Sequence, residues 1–309
     1  MNDAIEAAAS ALRVAFGRRL RTNVPMAPLT SFRVGGPAAL FLEPERDGDL
    51  AATGEAVAGS GIPVVVVGKG SNLLVSDRGF PGLVLRLGRG FRWAARDGVR
   101  LRAGGAMPLP ALSGVALHHG LAGLEFGVAI PATVGGAVRM NAGAHDGTMA
   151  DVVERVEVFA LSEGRSRSVS AEDSGFGYRR SALPEDGVVI GITARLRSGE
   201  PEQIRERMES ARAWRRATQP LAEPNCGSVF VNPPGDHAAR LIEAAGAKGT
   251  RIGGASISAK HANFIVAGPG STAEDILALI RRVQEVVRDA SGVDLHPEVR
   301  LVGEFDHAV

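Results

Sequence analysis

PVVVVGKGSNLLVSD, residues 63–77, is the stretch around which the chain is organised. The four valines that open it have the apolar, β-branched character of a strand buried on both faces. Gly68 and Gly70 then allow a sharp turn and a close approach of the backbone to a ligand, because neither carries a Cβ. Ser71 and Asn72 add side-chain donors, and the N–H groups of such a loop can form an anion-binding nest. We interpret the loop as a site for a pyrophosphate.

Two familiar phosphate-binding patterns do not fit this loop. A Rossmann-type dinucleotide fingerprint would need a third glycine at position 73, which is Leu73. A P-loop places its lysine next to Ser or Thr, whereas Lys69 stands between two glycines. A tight turn between two core strands therefore stays open as the alternative to phosphate binding.

The composition indicates a chain of two domains with balanced charge. Its 309 residues exceed the usual size of one domain. With 35 basic and 34 acidic residues, the formal net charge is +1, which argues against nucleic acid or an anionic membrane as the main partner. Cys226 is the only cysteine, so no intramolecular disulfide can form, as expected in a reducing compartment. The first twenty residues are the reverse of a signal peptide, and no apolar run reaches membrane-spanning length. We expect a soluble, cytoplasmic protein.

Hydrophobic spacing predicts an N-terminal surface helix, a charged helix near residues 202–219 and a long helix towards the end of the chain. Their apolar faces are formed by Ile5, Ala8, Leu12 and Phe16, by Ile204, Met208 and Ala211, and by Ile276, Ile280, Val283 and Val287. The run CGSVFV, residues 226–231, is predicted to be a strand. A composition shift at SGEP, residues 198–201, places a domain boundary near residue 200.

A second glycine-dense segment spans residues 120–147 and contains seven glycines in an otherwise apolar stretch. It suggests backbone wrapping closely around a flat or extended ligand, with a loop-rich core crossover as the alternative. No metal site is predicted, since His118 and His119 have no Cys, His or carboxylate partner at ligand spacing.

Seven motifs in order resemble the UDP-N-acetylenolpyruvoylglucosamine reductase (MurB) family, over a range from about residue 25 to the end. They are TSFRVGG (30–36), GKGSNLLVSD (68–77), IPATVGGAVRMNAGA (130–144), FGYRRS (176–181), NCGSVFVNP (225–233), LIEAAGAKGTRIGGASISAKHANFIV (241–266) and HPEVRLVG (296–303). Only ALPEDG lies between Ser181 and Val188, so the chain resembles the shorter class of the family, which lacks an extra loop carrying a tyrosine.

The resemblance implies an α+β fold with a vanillyl-alcohol-oxidase-type FAD-binding domain, itself two α+β subdomains, followed by a smaller α/β substrate-binding domain. On this basis we assign residues 1–24 to an N-terminal helix, residues 25–200 to the FAD-binding domain and residues 201–309 to the substrate-binding domain. It also implies non-covalent FAD, NADPH as co-substrate, and reduction of UDP-N-acetylglucosamine-enolpyruvate to UDP-N-acetylmuramate in peptidoglycan precursor synthesis. We expect a monomer with no metal, nucleic-acid or membrane partner.

The family's functional residues carry over to positions of this sequence in three groups. The catalytic positions are Arg179, Ser228 and Glu298. The cofactor-binding positions are Gly68, Lys69, Gly70, Ser71, Asn72, Ile130, Pro131, Thr133, Gly135, Gly136, Arg216 and Arg300. The substrate-binding positions are Tyr178, Asn232 and Glu243.

The chemistry of the catalytic residue types fits these assignments. Hydride addition to the β-carbon of an enolpyruvyl ether puts negative charge into the adjacent carboxylate, and the planar guanidinium of Arg179 suits that charge. Glu298 would help only with a raised pKa or through a neighbour, and Ser228 would need polarisation to donate a proton. Without the family pattern, all three would be read as ordinary surface, strand-entry and turn residues.

Two departures and three alternatives stay open. Val231 stands where the family usually has a basic residue, and His145 replaces an aromatic residue. The alternatives are an FAD-dependent oxidase of another alcohol or sugar, a flavin- or nucleotide-sugar-binding module without catalysis, and an enzyme with Cys226 as nucleophile beside His261.

Overall fold

The computed structural model describes residues 3–306 of the chain. Within this range the helices are α1 (Asp3–Phe16), α2 (Asp47–Val57), α3 (Leu109–His118), α4 (Val134–Arg139), α5 (Pro201–Thr218), α6 (Ala238–Ala244) and α7 (Ala273–Ser291). The strands are β1 (Arg21–Pro25), β2 (Pro37–Leu42), β3 (Val64–Val66), β4 (Leu73–Val75), β5 (Phe80–Leu85), β6 (Ala94–Asp97), β7 (Arg100–Gly104), β8 (Leu121–Ala122), β9 (Gly143–Ala144), β10 (Gly147–Thr148), β11 (Val153–Ala160), β12 (Arg165–Ser170), β13 (Gly187–Arg195), β14 (Arg197–Ser198), β15 (Arg251–Ile252), β16 (Ala255–Ile257), β17 (Ile265–Ala267) and β18 (Arg300–Val302). The predicted α+β class is confirmed.

The three helices that hydrophobic spacing predicts are present, and each buries its predicted apolar face. The buried positions include Ile5, Ala8, Leu12 and Phe16 in α1, Ile204, Met208 and Ala211 in α5, and Ile276, Ile280, Val283 and Val287 in α7. Helix α7 also has both terminal signals. Thr272 and Asp275 form a capping box at its start, and Gly292 follows its end with a φ of 71°.

The chain forms two compact units, and neither is continuous in sequence. The first unit comprises the chain up to Thr22, Leu40–Lys69 and Pro81–Trp214, and the second comprises Asn23–Ala39, Gly70–Phe80 and the chain from Arg215 onward. The sequence passes from the first unit to the second for the last time inside α5. The domain boundary near residue 200 stays a prediction.

In the first unit, the largest sheet is antiparallel with the strand order β12-β11-β13-β7-β6. Helix α4 packs against β13 and β7, and α3 packs against the turn that precedes α4. The core between them is apolar, with Leu101, Leu112, Val138, Val156 and Ile192 buried. This packing fixes the glycine-rich segment of residues 120–147 on the sheet.

The valine strand differs from its prediction. Strand β3 lies at the end of the order β1-β2-β5-β3 and pairs in parallel with β5. Val66 is 41% exposed, and Val64 and Val65 are only partly buried. The prediction of a strand buried on both faces is therefore wrong, because a run of β-branched residues suits an edge strand as well as a central one.

In the second unit, α7 packs on the antiparallel sheet of order β15-β16-β17 and also contacts α6. Strands β4 and β18 form a parallel pair with Leu73 opposite Arg300. The core of this unit includes Phe230, Ile242, Ile265 and Ile280. Thus β4, which directly follows the glycine loop, is held by the strand that follows Glu298.

The strand predicted at residues 226–231 is not formed as such. Phe230 makes an isolated antiparallel bridge with Pro297, and the residues around it are extended without a ladder. The apolar alternation predicts extension correctly, but a ladder needs a neighbour that runs alongside for several residues.

Within residues 3–306 no helix is both long and apolar enough to cross a membrane. In the same part of the chain, no group of three or more His, Cys, Asp or Glu residues could hold a metal ion.

Candidate active site

The first glycine of the loop, Gly68, lies directly against the second glycine-rich segment. A Cβ at Gly68 would overlap Thr133 Oγ1 and would come within 3.4 Å of the Thr133 Cβ. Both residues belong to the first unit. The structure thus brings together one residue from each of the two segments that the sequence assigns to the cofactor.

The second part of the loop is held by TSFRVGG, residues 30–36. The backbone N–H of Ser31 donates to the carbonyl of Gly70 at 3.1 Å. Gly70 has a φ of 61°, and a Cβ there would overlap the carbonyl oxygen of Leu29. Only glycine meets both conditions without strain.

The loop leaves a row of backbone donors available. Within the described residues 3–306, none of the N–H groups of residues 68–72 donates to a protein acceptor. The Lys69 side chain is exposed, and Ser71 and Asn72 are partly buried. Successive N–H groups of this kind form a concave site for an anion, and the missing Cβ atoms at Gly68 and Gly70 let the loop pack closely against Thr133 and Leu29. The loop therefore fits a pyrophosphate.

Thr133 and Gly135 position the start of α4. Thr133 Oγ1 accepts a hydrogen bond from the Gly136 N–H at 3.3 Å and so caps this short helix. The N–H of Gly135 donates to the Gly105 carbonyl at 2.9 Å, and a Cβ at Gly135 would lie 3.0 Å from the Val189 carbonyl oxygen. Gly135 is therefore needed for close packing of α4 on the sheet. Of the remaining cofactor positions in this segment, Pro131 and Gly136 are exposed and Ile130 is partly buried.

Arg179 lies at the tip of a tight turn. Gly177 and Arg180 bond to each other through two backbone hydrogen bonds, at 3.0 Å from the Gly177 N–H and 3.2 Å from the Arg180 N–H. Arg179 has a φ of 59°, a left-handed conformation that is uncommon for a residue with a side chain. Its Nη2 donates to the Gly143 carbonyl at 3.1 Å, and its guanidinium carbon lies 4.9 Å from the centre of the Tyr178 ring. Tyr178 is 55% exposed. The turn presents a cation beside an aromatic face.

His145 occupies the turn between β9 and β10, two residues after the carbonyl that accepts from Arg179. It also has a left-handed backbone, with a φ of 49°. Its ring packs edge-on against Trp214 with centroids 5.0 Å apart. The histidine thus supplies an aromatic contact at the position where the family often has an aromatic residue.

The segments that contain Ser228 and Glu298 pair with each other in the second unit. The Glu298 N–H donates to the carbonyl of Val229 at 2.7 Å, and the Val231 N–H donates to the carbonyl of His296 at 2.9 Å. Two extended segments therefore run side by side, with Val229, the residue next to Ser228, opposite Glu298. Arg179 belongs to the first unit.

Asn263 holds the extended segment that contains Ser228. Its side chain accepts from the Phe230 N–H at 2.9 Å and donates to the Phe230 carbonyl at 2.8 Å, while its own carbonyl accepts from the Val229 N–H at 2.9 Å. Asn263 is 4% exposed. These three bonds replace the ladder that a regular strand would have formed, and they set the path of the backbone next to Ser228.

Asn72 links the glycine loop to the extended segment that contains Glu298. Its Nδ2 donates to the Glu298 carbonyl at 3.0 Å, and its own carbonyl accepts from the Arg300 N–H at the same distance. The side chain of Asn72, which the sequence assigns to the cofactor, is therefore bonded to the backbone of a proposed catalytic residue.

The other predicted positions have local contacts of their own. Asn232 Oδ1 accepts from the Ala238 N–H at 3.0 Å at the start of α6, and Glu243 pairs with Lys248 at 2.9 Å. The Arg216 carbonyl accepts from Lys260 Nζ, and the exposed Arg300 lies opposite Leu73 in the pair of β4 and β18. Each of these side chains stays a predicted contact of substrate or cofactor.

Cys226 does not fit the role of a nucleophile. It is 6% exposed and packs in the apolar core of the second unit. Burial, with a smaller contribution from the nearby Glu298 charge, raises the pKa of its thiol, so the reactive thiolate is disfavoured. Burial also lowers the pKa of His261, whose Nδ1 accepts from the Asn263 N–H at 3.3 Å. The alternative of a cysteine enzyme is therefore contradicted.

No functional role was predicted for Asn263 or for Asn141, whose side chain donates to the Gly177 carbonyl at 2.9 Å in the turn of Arg179. Both lie inside the motifs that carry the family resemblance, IPATVGGAVRMNAGA and the segment ending HANFIV. The sequence feature that could have identified them is an asparagine at the end of an apolar run, next to glycine or alanine. A side-chain amide that is buried there needs hydrogen-bonding partners.

Comparisons with known proteins agree across nearly the whole chain. A family model described as "UDP-N-acetylenolpyruvoylglucosamine reductase, C-terminal domain" matches residues 219–302, and one described as "FAD binding domain" matches residues 38–170. The UDP-N-acetylenolpyruvoylglucosamine reductase of Heliobacterium modesticaldum is 48% identical over 282 residues, which cover 91% of this chain and 90% of the relative. The protein of the same name from an Anaeromyxobacter species is 46% identical over 297 residues, covering 95% and 93%.

A solved structure is similar in fold as well. The crystal structure of UDP-N-acetylenolpyruvylglucosamine reductase (MurB) from Thermus caldophilus has a TM-score of 0.80 and 39% sequence identity, covering 92% of this chain and 99% of that one. The predicted fold, an FAD-binding domain of the vanillyl-alcohol-oxidase type followed by a C-terminal substrate-binding domain, is confirmed. The matches do not favour an oxidase of another alcohol or a module without catalysis.

Proposed function

The chain belongs to the UDP-N-acetylenolpyruvoylglucosamine reductase family, and we propose that it uses NADPH and non-covalent FAD to reduce UDP-N-acetylglucosamine-enolpyruvate to UDP-N-acetylmuramate. The observation that carries the proposal is the bonding of Glu298 both to Asn72 of the glycine loop and to Val229, the residue next to Ser228. This joins groups suited to protonating a substrate to a loop suited to a pyrophosphate. The reaction is a step of peptidoglycan precursor synthesis and so serves cell-wall formation, cell shape and division.

The residues of the glycine loop and of the start of α4 would hold the FAD. The N–H groups of residues 68–72 would bind the pyrophosphate, and the absence of a Cβ at Gly68 lets the loop pack against Thr133. Lys69 is exposed and supplies positive charge to the same anion. When bound, FAD would supply the hydride-transfer chemistry that links NADPH to the enolpyruvyl group.

Arg179 binds the carboxylate of the enolpyruvyl group in the proposed reaction. Hydride addition at the β-carbon turns the α-carbon and the carboxylate into an enolate, so negative charge on the carboxylate increases. A guanidinium that is already oriented by the Gly143 carbonyl stabilises that charge without reorganising. Tyr178, which packs on the guanidinium, contacts the substrate alongside it.

Ser228 donates the proton that completes the reaction. The α-carbon of the enolate takes a proton from the Ser228 hydroxyl, which is replenished from solvent, so one hydride and one proton are added in total. Glu298, whose backbone N–H donates to the Val229 carbonyl next to Ser228, is the third catalytic residue of the proposal. Asn232 and Glu243 contact the remainder of the UDP-sugar.

The proposal includes a cytoplasmic enzyme, since NADPH and nucleotide sugars are metabolites of the cell interior. It also includes a monomeric state. Sedimentation of the purified protein at micromolar concentration tests the oligomeric state, and a dimer would contradict this part alone.

Spectroscopy of the purified protein tests the activity. We expect a yellow protein that releases FAD on denaturation, loses its visible absorbance with NADPH in the absence of oxygen, and regains it on addition of the enolpyruvyl substrate. Mass spectrometry should show a product heavier than the substrate by two hydrogen atoms. A protein that cannot be loaded with FAD, or that is reduced but not reoxidised by this substrate, would overturn the proposal.

A further inference from the structure

The side chain of Asn141 is hydrogen-bonded to the turn that carries Arg179, and both residues belong to the first unit. Its side chain is 6% exposed. Nδ2 donates to the Gly177 carbonyl at 2.9 Å, and Oδ1 accepts from the Ala150 N–H at 2.8 Å. One buried amide therefore joins the first residue of the Arg179 turn to the start of the segment that follows β10.

The guanidinium of Arg179 is held from the same stretch of chain. Gly143, two residues after Asn141, offers its carbonyl to Arg179 Nη2 at 3.1 Å. Asn141 therefore fixes the backbone at the base of the turn, while Gly143 fixes the guanidinium at its tip. Two attachment points define both the position and the direction of the side chain.

The residues just before Asn141 anchor the other side of the turn. The Arg139 carbonyl accepts from Ser181 Oγ at 3.0 Å, and the Arg139 guanidinium donates to the carbonyls of Leu183 and Pro184 at 2.9 and 2.8 Å. Residues 139–143 thus run along the whole loop that presents Arg179. We call these five residues the support segment.

Such support is needed because the turn is strained. Arg179 has a φ of 59°, and Asn141 itself has a φ of 40°. A left-handed conformation persists in a residue with a side chain only when its surroundings determine it. Asparagine tolerates this conformation better than most residues, so Asn141 meets both the backbone and the bonding requirements of its position.

We infer that Asn141 is a positioning residue for Arg179, acting through the Gly177 carbonyl on the direction of the guanidinium towards the substrate carboxylate. The inference rests on the proposed function, since it concerns the carboxylate of that substrate. It gives the motif MNAGA, residues 140–144, a role in the reduction of the substrate that is separate from cofactor binding.

Two substitutions separate the amide from the backbone conformation. Asn141→Gly keeps the left-handed backbone and removes both hydrogen bonds, whereas Asn141→Asp keeps the acceptor for Ala150 and removes only the donor to Gly177. In the FAD-loaded enzyme, both should lower kcat/KM for the enolpyruvyl substrate by roughly tenfold or more, the scale of a small misplacement of a catalytic group. FAD content and the rate of flavin bleaching by NADPH should match those of the unsubstituted enzyme.

A double-mutant cycle gives the decisive measurement. If Asn141 acts through Arg179, Asn141→Gly should change kcat/KM by less than about twofold once Arg179→Ala is present. Asp49→Asn is the matched control, since it changes a buried, bridging side chain of the same unit that contacts Arg19 and Glu45. It should lower thermal stability without changing kcat/KM.

Three outcomes would overturn the inference. They are full activity of Asn141→Gly, the same loss of activity from Asn141→Gly with and without Arg179, and loss of FAD from the Asn141 variants. Failure of the unsubstituted enzyme to reduce the enolpyruvyl substrate would instead overturn the proposed function, so the two failures are distinguishable.

Discussion

The side-chain amide of Asn72 donates a hydrogen bond of 3.0 Å to the backbone carbonyl of Glu298, a residue 226 positions later in the chain. The Arg300 N–H returns a bond to the Asn72 carbonyl, and β4 and β18 continue the contact as a parallel pair. Asn72 of the glycine loop and the segment of Glu298 are therefore parts of one bonded structure within the second unit. A change at Asn72 should consequently affect the second half of the reaction.

Asn72→Ala tests this link. The substitution removes the donor to Glu298, and we expect roughly fivefold slower reoxidation of the reduced flavin by the substrate, from the loss of about 1 kcal/mol of stabilisation. Stopped-flow absorbance measures this step directly. Gln284→Ala is the control, because Gln284 makes the same kind of bond to the Leu295 carbonyl at 2.9 Å. Equal slowing in both variants would show a general loss of stability instead of a specific link to Glu298.

Gly68→Ala should weaken FAD binding. The added Cβ would overlap Thr133 Oγ1, and overpacking of this kind costs about 1–3 kcal/mol, or roughly 5- to 150-fold in the Kd for FAD. Titration of the apoprotein with FAD, followed by flavin fluorescence, gives that constant. Gly48→Ala on α2, where a Cβ would meet no atom within 4 Å, should leave it unchanged. Unaltered FAD affinity in Gly68→Ala would show that the loop does not contact the cofactor.

Arg179→Lys should separate activity from stability. Lysine keeps the charge but loses the planar pair of donors, so we expect kcat/KM to fall by roughly 10²-fold, the scale for removing one oriented donor from a developing oxyanion. The Tm should stay close to that of the unsubstituted protein. Arg179→Gly should likewise be inactive but folded, since glycine adopts the observed φ of 59° without strain. Near-normal turnover in Arg179→Lys would contradict the assignment.

Ser228→Ala should affect only one half of the reaction. A proton donor to the substrate is needed after the flavin has been reduced, so bleaching by NADPH should be normal while reoxidation by substrate slows by about 10²- to 10⁴-fold. Stopped-flow absorbance follows both halves in one protein. The exposed Ser168→Ala, in β12, is the control and should change neither rate. Slowing of both halves in Ser228→Ala would indicate a positioning or folding defect.

The ion pair of Asp49 should make stability depend on pH. Burial raises the pKa of the Asp49 carboxyl, but hydrogen bonds from Arg19 Nη2 (2.6 Å) and the Glu45 N–H (2.8 Å) outweigh burial, so the pKa is lowered. A carboxyl with a lowered pKa in the folded state stabilises the protein above its unfolded pKa of about 3.9 and loses this effect as the pH falls below that value.

Urea denaturation at several pH values checks this expectation. The free energy of unfolding of the unsubstituted protein should exceed that of Asp49→Asn at pH 7, and the difference should shrink below about pH 4 as the carboxyl is protonated. A difference that stays constant down to pH 3 would show that the carboxylate charge does not contribute.

Local patterns of the sequence predicted the helices well. In α1, α5 and α7 the predicted apolar residues are buried, because helical periodicity depends only on residues three or four positions apart. The family motifs correctly predicted an FAD-binding domain followed by a C-terminal substrate-binding domain. The glycines at positions 68 and 70 pack closely against Thr133 and Leu29, and their predicted approach to a ligand stays a prediction.

Tertiary structure alone decided what depends on distant partners. The edge position of β3 and the isolated bridge at Phe230 follow from which segments lie beside them, and neither neighbour can be read from local alternation. The two units are also discontinuous, because residues 23–39 and 70–80 join the C-terminal part of the chain.

The hydrogen-bonded asparagines at the site also depend on partners that are distant in sequence. Asn141 and Asn263 find their partners 36 and 33 positions away, and Asn72 finds Glu298 at 226. A side-chain amide can bond to any backbone group that folding places within about 3 Å. The sequence by itself therefore determined which residue types could bind the cofactor and carry out the chemistry, while only the folded chain decided which buried amides hold them in position.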